Sequence, residues 1–192
     1  MIYDFTYHNP TRIHFGKNAL NHLAGEIQAF GQNVLLIYGK ASIKKTGLYD
    51  QIILILQQCG KQVTELSGIN SNPRWTQVQE GCRLVRENHI DFILAAGGGS
   101  VIDCAKAISA CSYATGDAWS RYYVHQLPVD NPVIPIGAIL TMAGTGSEMN
   151  SGSVITNEEQ KLKLGRGYDT NLNPQFSLLN PEFTYTVPTY QM

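Results

Sequence analysis

Three consecutive glycines, Gly97-Gly98-Gly99, followed by Ser100 and then Asp103, are the residues whose types and spacing most directly suggest chemistry. Residues without a Cβ let a charged group come close to the main chain. The stretch before them, Phe92-Ile93-Leu94-Ala95-Ala96, is an apolar run of strand type, and the stretch after them has helical periodicity. A strand, a glycine turn and a helix N-terminus bring free N–H groups and the positive end of the helix dipole to one point. That is an anion site, most often for phosphate. Ser100 is expected to cap the helix, with Asp103 at capping-box distance. A tight strand-to-helix turn can also need glycine for purely steric reasons, and the spacing is not the G-x-G-x-x-G fingerprint.

Three other stretches of small and polar residues stand beside this one: Gly39-Lys40-Ala41-Ser42, Asn70-Ser71-Asn72-Pro73 and Thr141 to Glu148. Metal or nucleophile chemistry finds less support. His8, His14, His22, His89 and His125 include no pair at i, i+4, and no acidic partner repeats at ligand spacing. Only His125, in an aromatic stretch, merits a check. Cys59, Cys82, Cys104 and Cys111 form no C-x-x-C pair and read as buried free thiols.

These residues need elements to position them. Tyr3 to Phe15 reads as two short extended segments at a sheet edge, separated by Asn9-Pro10. A short helix is expected over Ala19 to Phe30 and a buried strand over Asn33 to Tyr38. A second helix runs from Leu48 to Cys59 and is closed by Gly60, and a second strand covers Val63 to Leu66. Pro73 opens a helix carrying Val78, Cys82 and Val85, and Phe92 to Ala96 forms the third strand. The helix from Ser100 buries Val101, Cys104, Ala105, Ile108 and Cys111. Gly116 to Asn131 reads as a long loop with Trp119, Tyr122 and Tyr123. Pro132 to Ile136 reads as a fourth strand whose Pro135 signals an edge or a bulge. Val154 to Thr156 is a short strand, Asn157 to Gln160 a polar turn, and Phe176 to Leu179 the last strand. Strands alternating with helices predict an α/β fold with a doubly wound, mainly parallel, Rossmann-like sheet. In such sheets ligands sit beyond the carboxyl ends of the strands, where all four polar stretches fall. That convergence favours a nucleotide-type ligand.

The 192 residues match one domain, long enough to bury about 70% of the unfolded surface without staples. A net charge of −1 with no basic block argues against nucleic acid or an anionic membrane as partner. Met1 to Phe5 lacks the features of a signal peptide, and the longest aliphatic run, Ile52 to Leu56, is too short to span a bilayer. A cytoplasmic location is expected.

Tyr38-Gly39-Lys40-Ala41-Ser42-Ile43-Lys44-Lys45-Thr46-Gly47, Asn72-Pro73, Gly97 through Lys106, Ala143-Gly144-Thr145-Gly146-Ser147-Glu148 and Thr184-Tyr185-Thr186-Val187-Pro188 together carry a resemblance. They are similar to the iron-containing, or group III, alcohol dehydrogenases, nearest the butanol dehydrogenase and broad aldehyde reductase branch. The resemblance covers essentially the whole chain. It implies a dehydroquinate synthase-like N-terminal domain over 1–182 that binds NAD(H) or NADP(H), with 183–192 beginning the connection to a helical metal-binding domain. It implies that Gly97, Gly98, Gly99 and Ser100 cradle the pyrophosphate, with Val101 and Asp103 beside them. Thr141, Thr145, Ser147 and Asn150 are then expected along the adenine, ribose and nicotinamide, and Gly39, Lys40, Ser42 and Asn72 complete the site. Lys163 would reach a ribose, or else is a solvated turn lysine. Asp103 and Lys106, one turn apart, either support the phosphate loop or pair on the surface.

Relatives that prefer NAD often carry an acidic residue where this chain has Gly39. With Lys40, Ser42, Lys44 and Lys45 nearby, NADP(H) is the expected preference, unless those lysines only solubilise the helix start. The resemblance also implies Fe²⁺ or Zn²⁺ held by an Asp, a His one turn later and two further histidines, all expected beyond Met192. No catalytic residue is therefore assigned within the chain. Primary alcohols and aldehydes are the implied substrates, and a homo-oligomer, a dimer, the implied assembly. The alternatives are a dinucleotide-binding module without redox activity and a glycerol dehydrogenase-like relative. An apolar face around Tyr185, Val187, Tyr190 and Met192 would drive self-association if left uncovered.

Overall fold

The computed structural model describes residues 4–6 and 8–185. Tyr3, Tyr7, Val187, Pro188, Tyr190 and Met192, which entered the readings above, lie outside the described residues. In chain order the elements are strand β1 (Arg12–Phe15), a 3-10 turn (Ala19–His22) and helix α1 (Leu23–Ile27). They continue with β2 (Asn33–Tyr38), α2 (Ser42–Lys45), α3 (Leu48–Gln58), β3 (Gln62–Leu66), α4 (Trp75–Glu87), β4 (Phe92–Gly98) and α5 (Gly99–Cys111). Then come a π-helical turn (Trp119–Val124), β5 (Ile136–Met142), a 3-10 turn (Ser147–Met149), β6 (Ser153–Asn157), β7 (Leu162–Arg166) and β8 (Phe176–Leu179).

Six strands form one parallel sheet in the order β1-β8-β5-β4-β2-β3, and β6 and β7 make a separate antiparallel hairpin. Successive strand residues face opposite sides of a sheet. Leu35, Ile37, Ile93, Ala95, Ile136 and Ala138 accordingly join one core with α4, α5 and the π-helical turn. Val34, Leu36, Phe92, Leu94, Ile139 and Phe176 join a second core with α1 and α3. Both faces are covered, so the strands read as continuous apolar runs, as buried parallel strands do. The expected doubly wound α/β architecture is what forms. No helix of the described residues is long and apolar enough to cross a membrane.

The chain reverses its direction of winding at β2. From β2 it moves outward through α3 to β3, and α4 then carries it back across the sheet to β4, on the other side of β2. The connections leaving β2 and β4 therefore depart to opposite faces, which opens a crevice between the carboxyl ends of those two strands.

Several elements differ from expectation. The fourth strand is Ile136–Met142 rather than Pro132 to Ile136, because proline cannot donate to a ladder. Pro135 lies just before the strand, where only its carbonyl is used, accepting from Ile93 N at 3.0 Å. The strand is central, not an edge. The Gly116 to Asn131 loop contains the π-helical turn, whose Trp119, Tyr122 and Tyr123 are buried. β7 had no sequence signal, and β1 does lie at the outer edge of the sheet, as the preceding Pro10 and the β-formers suggested.

Gly137, the second residue of β5, faces the ring of Phe176, itself stacked on Phe92 with ring centroids 5.7 Å apart. A Cβ at 137 would lie 2.5 Å from Phe176 Cζ, and the ring has no room to retreat. Gly137→Ala is expected to destabilise the chain by about 1–3 kcal/mol through overpacking. Chemical denaturation that leaves the midpoint unchanged would contradict this.

Candidate functional site

The crevice at the β2/β4 reversal is a cleft of about 720 Å³. Gly39, Lys40 and Ser42 line it from the end of β2, and Asn70, Ser71 and Asn72 from the loop after β3. Gly97, Gly98, Gly99, Ser100 and Val101 form its base, and Thr141, Met142, Ala143, Gly144 and Thr145 its other wall. Eleven of the fifteen candidate residues thus meet at one place. Sequence reading did not single out Ile69, Asn70, Ser71, Met142, Ala143 and Gly144 as lining, although their loops were marked; strand-end position was the available signal. His125 does not line this cleft.

The glycine turn serves two purposes. A Cβ on Gly97 would come within 2.4 Å of Val101 Cγ2, and one on Gly99 within 2.3 Å of Thr145 Oγ1. The steric reading therefore holds for both residues: the turn must be bare for α5 and the 141–145 wall to close on it. The anion reading survives alongside it. Gly98 is the N-cap of α5, and no side chain caps the helix, so the first-turn N–H groups are left for the cleft. The expected capping box between Ser100 and Asp103 does not form. The helix starts at Gly99, one residue earlier, and both side chains are engaged elsewhere. Ser100 Oγ accepts from Asn72 N at 3.2 Å, which pins the left-handed Asn72 (φ 60) against the helix start.

Asp103, Ser147, Asn150 and Lys163 are not among the residues that line the cleft. Ser147 Oγ donates to Asp103 Oδ1 at 2.6 Å and accepts from Lys106 Nζ at 2.9 Å. Asp103 Oδ2 accepts from Val154 N at 3.0 Å. Asn150 Oδ1 accepts from Lys106 Nζ at 3.0 Å and from Gly152 N at 2.9 Å, while its Nδ2 donates to Gly146 O at 2.9 Å. These polar atoms bond within the protein, because past Thr145 the loop after β5 folds back over α5. Lys163 lies on strand β7, not in a turn, and its Nζ donates to Asn72 Oδ1 at 2.5 Å at the cleft rim. Lys106, expected to support the phosphate loop or to pair on the surface, is fully buried. Burial pushes its ammonium down to about 8, while the nearby Asp103 and Glu148 charges pull it back up. Burial raises Asp103, against the opposing hydrogen bonds from Ser147 and Val154.

The lining carries one cation, Lys40, and no carboxylate, which suits a polyanion. The other lysines of the stretch differ. Lys44 Nζ sits over the rings of Tyr38 and Tyr49, 5.3 and 4.4 Å from their centroids, and neither Lys44 nor Lys45 lines the cleft. Both phenols donate to Glu65, Tyr38 OH to Oε2 at 2.5 Å and Tyr49 OH to Oε1 at 2.6 Å. That cluster fastens α2 and α3 to the sheet edge beside the cleft. Among the described residues, no group of three or more His, Cys, Asp and Glu can hold a metal ion.

A sequence profile described as iron-containing alcohol dehydrogenase matches residues 10–181. The chain belongs to that family. It is 50% identical over 185 residues to probable NADH-dependent butanol dehydrogenase 1 of Bacillus subtilis, covering 96% of this chain and 47% of that protein. It is 38% identical over 191 residues to the NADPH-dependent aldehyde reductase YqhD of Escherichia coli, covering 98% and 48%. The crystal structure of NADH-dependent butanol dehydrogenase A from Thermotoga maritima superposes with a TM-score of 0.91 at 36% identity, covering 98% of this chain and 47% of that one. The chain spans about half the length of the curated relatives it matches. In this iron-containing alcohol dehydrogenase sequence, the G-G-G-S and T-G-S-E stretches that carried the resemblance are the two that meet at α5.

The Glu65 cluster has a pH consequence. Burial raises the Glu65 carboxyl, but the hydrogen bonds from Tyr38 and Tyr49 and the Lys44 charge outweigh it and hold the group below its ordinary 4.5. A depressed carboxyl contributes stability that is present above its unfolded value and lost as pH falls through its folded value. Glu65→Gln is therefore expected to lower the thermal midpoint near neutrality and to narrow its gap to the parent chain below pH 4.5. An equal gap at pH 7 and pH 3.5 would count against it.

Proposed function

We propose that the cleft holds a nicotinamide dinucleotide and that the polypeptide carrying this chain interconverts primary alcohols and aldehydes. The observation that carries the reading is the uncapped N-terminus of α5, opening into a cleft at the sheet's reversal point whose lining has one lysine and no carboxylate. Family membership and the relatives' printed activities support it. In this reading residues 1–182 are the cofactor half of the enzyme and 183–192 begin the connection to the remainder.

When bound, the dinucleotide supplies the hydride exchanged at its nicotinamide ring. The work of this chain is to bind and orient it. The first-turn N–H groups of α5 hold the pyrophosphate, Lys40 and Ser42 face the phosphorylated ribose end, and Asn72 and Thr145 border the cleft from opposite walls. The divalent metal that belongs to the reading, Fe²⁺ or Zn²⁺, does not fit the described residues, which contribute no ligand set.

NADP(H) is the preferred form in this proposal. Nothing acidic faces a 2′-phosphate at Gly39, and Lys40 is the residue beside it. The relatives' names go both ways, NADH for the Bacillus subtilis protein and NADPH for the Escherichia coli one. A Cβ at Gly39 would meet only Ile69 O, at an ordinary 3.7 Å, so an aspartate fits there. Gly39→Asp is expected to shift the ratio of kcat/KM for NADPH over NADH, measured with butyraldehyde in the polypeptide carrying this chain, at least about tenfold toward NADH, or roughly 1.4 kcal/mol. No turnover with either cofactor after loading with Fe²⁺ or Zn²⁺ would overturn the activity, and an unmoved ratio would overturn the preference.

A homodimer is part of the same reading. The outer edge of β1 has no strand partner among the described residues, and Phe15 on it is 75% exposed. An open edge with an apolar side chain is a template for pairing with another chain. Phe15→Lys is expected to move sedimenting species toward monomer; a parent chain that sediments as monomer would remove the proposal.

A further inference from the structure

Lys106 sits in the middle of α5, seven residues from the turn that opens the cleft, and is not part of the cleft lining. Its Nζ faces four oxygens at hydrogen-bond distance: Ser147 O at 2.7 Å, Ser147 Oγ at 2.9 Å, Asn150 Oδ1 at 3.0 Å and Gly152 O at 3.0 Å. All four belong to the segment that continues the 141–145 wall. A buried ammonium without acceptors would cost several kcal/mol, so this arrangement persists only with the segment in place. The same helix turn adds Asp103, which takes the Ser147 hydroxyl proton and the Val154 N–H. Ser147 is thus gripped between a donor and an acceptor spaced one helical turn apart on α5.

The wall is also tied beyond Ser147, where Glu148 O accepts from Ser177 Oγ at 2.6 Å and Met149 O accepts from Asn9 Nδ2 at 2.7 Å. Gly144 (φ 140) and Gly146 (φ 66) hold backbone conformations that favour glycine, and Met142 through Thr145 are exposed. Thr145 packs on Gly99, so the wall's position relative to the α5 N-terminus depends on where Ser147 is anchored.

We propose that Lys106 is a positioning residue: through Ser147, Asn150 and Gly152 it fixes the 141–150 wall against the N-terminus of α5 and so preorganises the cleft for its dinucleotide. The D-x-x-K element of the helix and the T-G-S-E stretch of the loop thus meet at one buried cation. The inference rests on the dinucleotide reading of the cleft for its ligand, not for the latch.

The test uses the full 192-residue chain, with NADPH and NADH titrated by calorimetry and amide exchange followed without ligand. Lys106→Met is expected to weaken the better dinucleotide at least tenfold and to lower exchange protection at least tenfold over 143–152, with β4 and β5 unchanged. Thr145→Ala should weaken binding in the parent chain and add little in the Lys106→Met background, since the wall is already displaced; a purely structural lysine would give additive losses. Should Lys106→Met fail to fold, Asn150→Ala removes one acceptor at the surface, and the same local loss of protection is expected at smaller size. Unchanged protection over 143–152 overturns the latch. Reduced protection with unchanged affinity overturns the positioning role. A parent chain that binds neither dinucleotide removes the cofactor reading, and the exchange comparison then decides the latch by itself.

Discussion

Helix α5 has to be buried on almost every side, and the fold around the cleft follows from that constraint. Eleven of its thirteen residues are buried, so it behaves as a core element and not as an amphipathic surface helix. Cover comes from the sheet on one side, α4 on another, and the π-helical turn with the β6–β7 hairpin on the rest. Close approach to α4 requires Gly81, where a Cβ would meet Ile108 Cδ1 at 2.2 Å. The polar groups that burial traps must be answered in kind. Ser109 Oγ donates to Ile134 O at 2.6 Å and accepts from Ile134 N at 3.0 Å, and Lys106 finds its four oxygens.

Only Ser100 and Asp103 of α5 are not fully buried, and the start of the helix carries N–H groups that no side chain caps. A helix buried elsewhere and bare at its start concentrates its interaction with solvent or ligand at one spot. The sheet reversal between β2 and β4 supplies the room, the glycine turn removes side chains that would fill it, and the lining carries Lys40 and no carboxylate. Three independent features therefore act on one volume. The same glycines are also demanded by packing against Val101 and Thr145, so the turn was under two constraints with one solution.

Around the rim, side-chain hydrogen bonds fasten loops that the sheet does not hold. Gln77 illustrates the pattern: its Oε1 accepts from Arg74 N at 3.1 Å and Asn70 N at 3.4 Å, and its Nε2 donates to Gly68 O at 2.9 Å. Lys163 and Ser100 grip Asn72 from two sides. The hairpin joins the same wall through Thr156 N, which donates to Pro73 O at 2.9 Å. The cleft is built on strand and helix ends, with its loops tied down from behind.

Local pattern carried the elements whose signal is short-range. The apolar runs of β2 and β4, the stripes of α3 and α4 and the glycine turn at Gly97 were legible because burial on a sheet or helix leaves a period in the residues themselves. So was the gathering of four polar loops at one edge, since parallel connectivity places every strand end on the same side. Long-range contact decided the rest. Pro135 as a local signal pointed to an edge, yet the strand after it is central, because partners on both sides come from β4 and β8. Lys106 carried the sequence character of a helix-surface lysine; only the return of the 147–152 segment, forty residues away along the chain, makes it a buried cation bonded to Ser147 and Asn150. A charge is buried when acceptors arrive from elsewhere in the chain, and no window of sequence contains both.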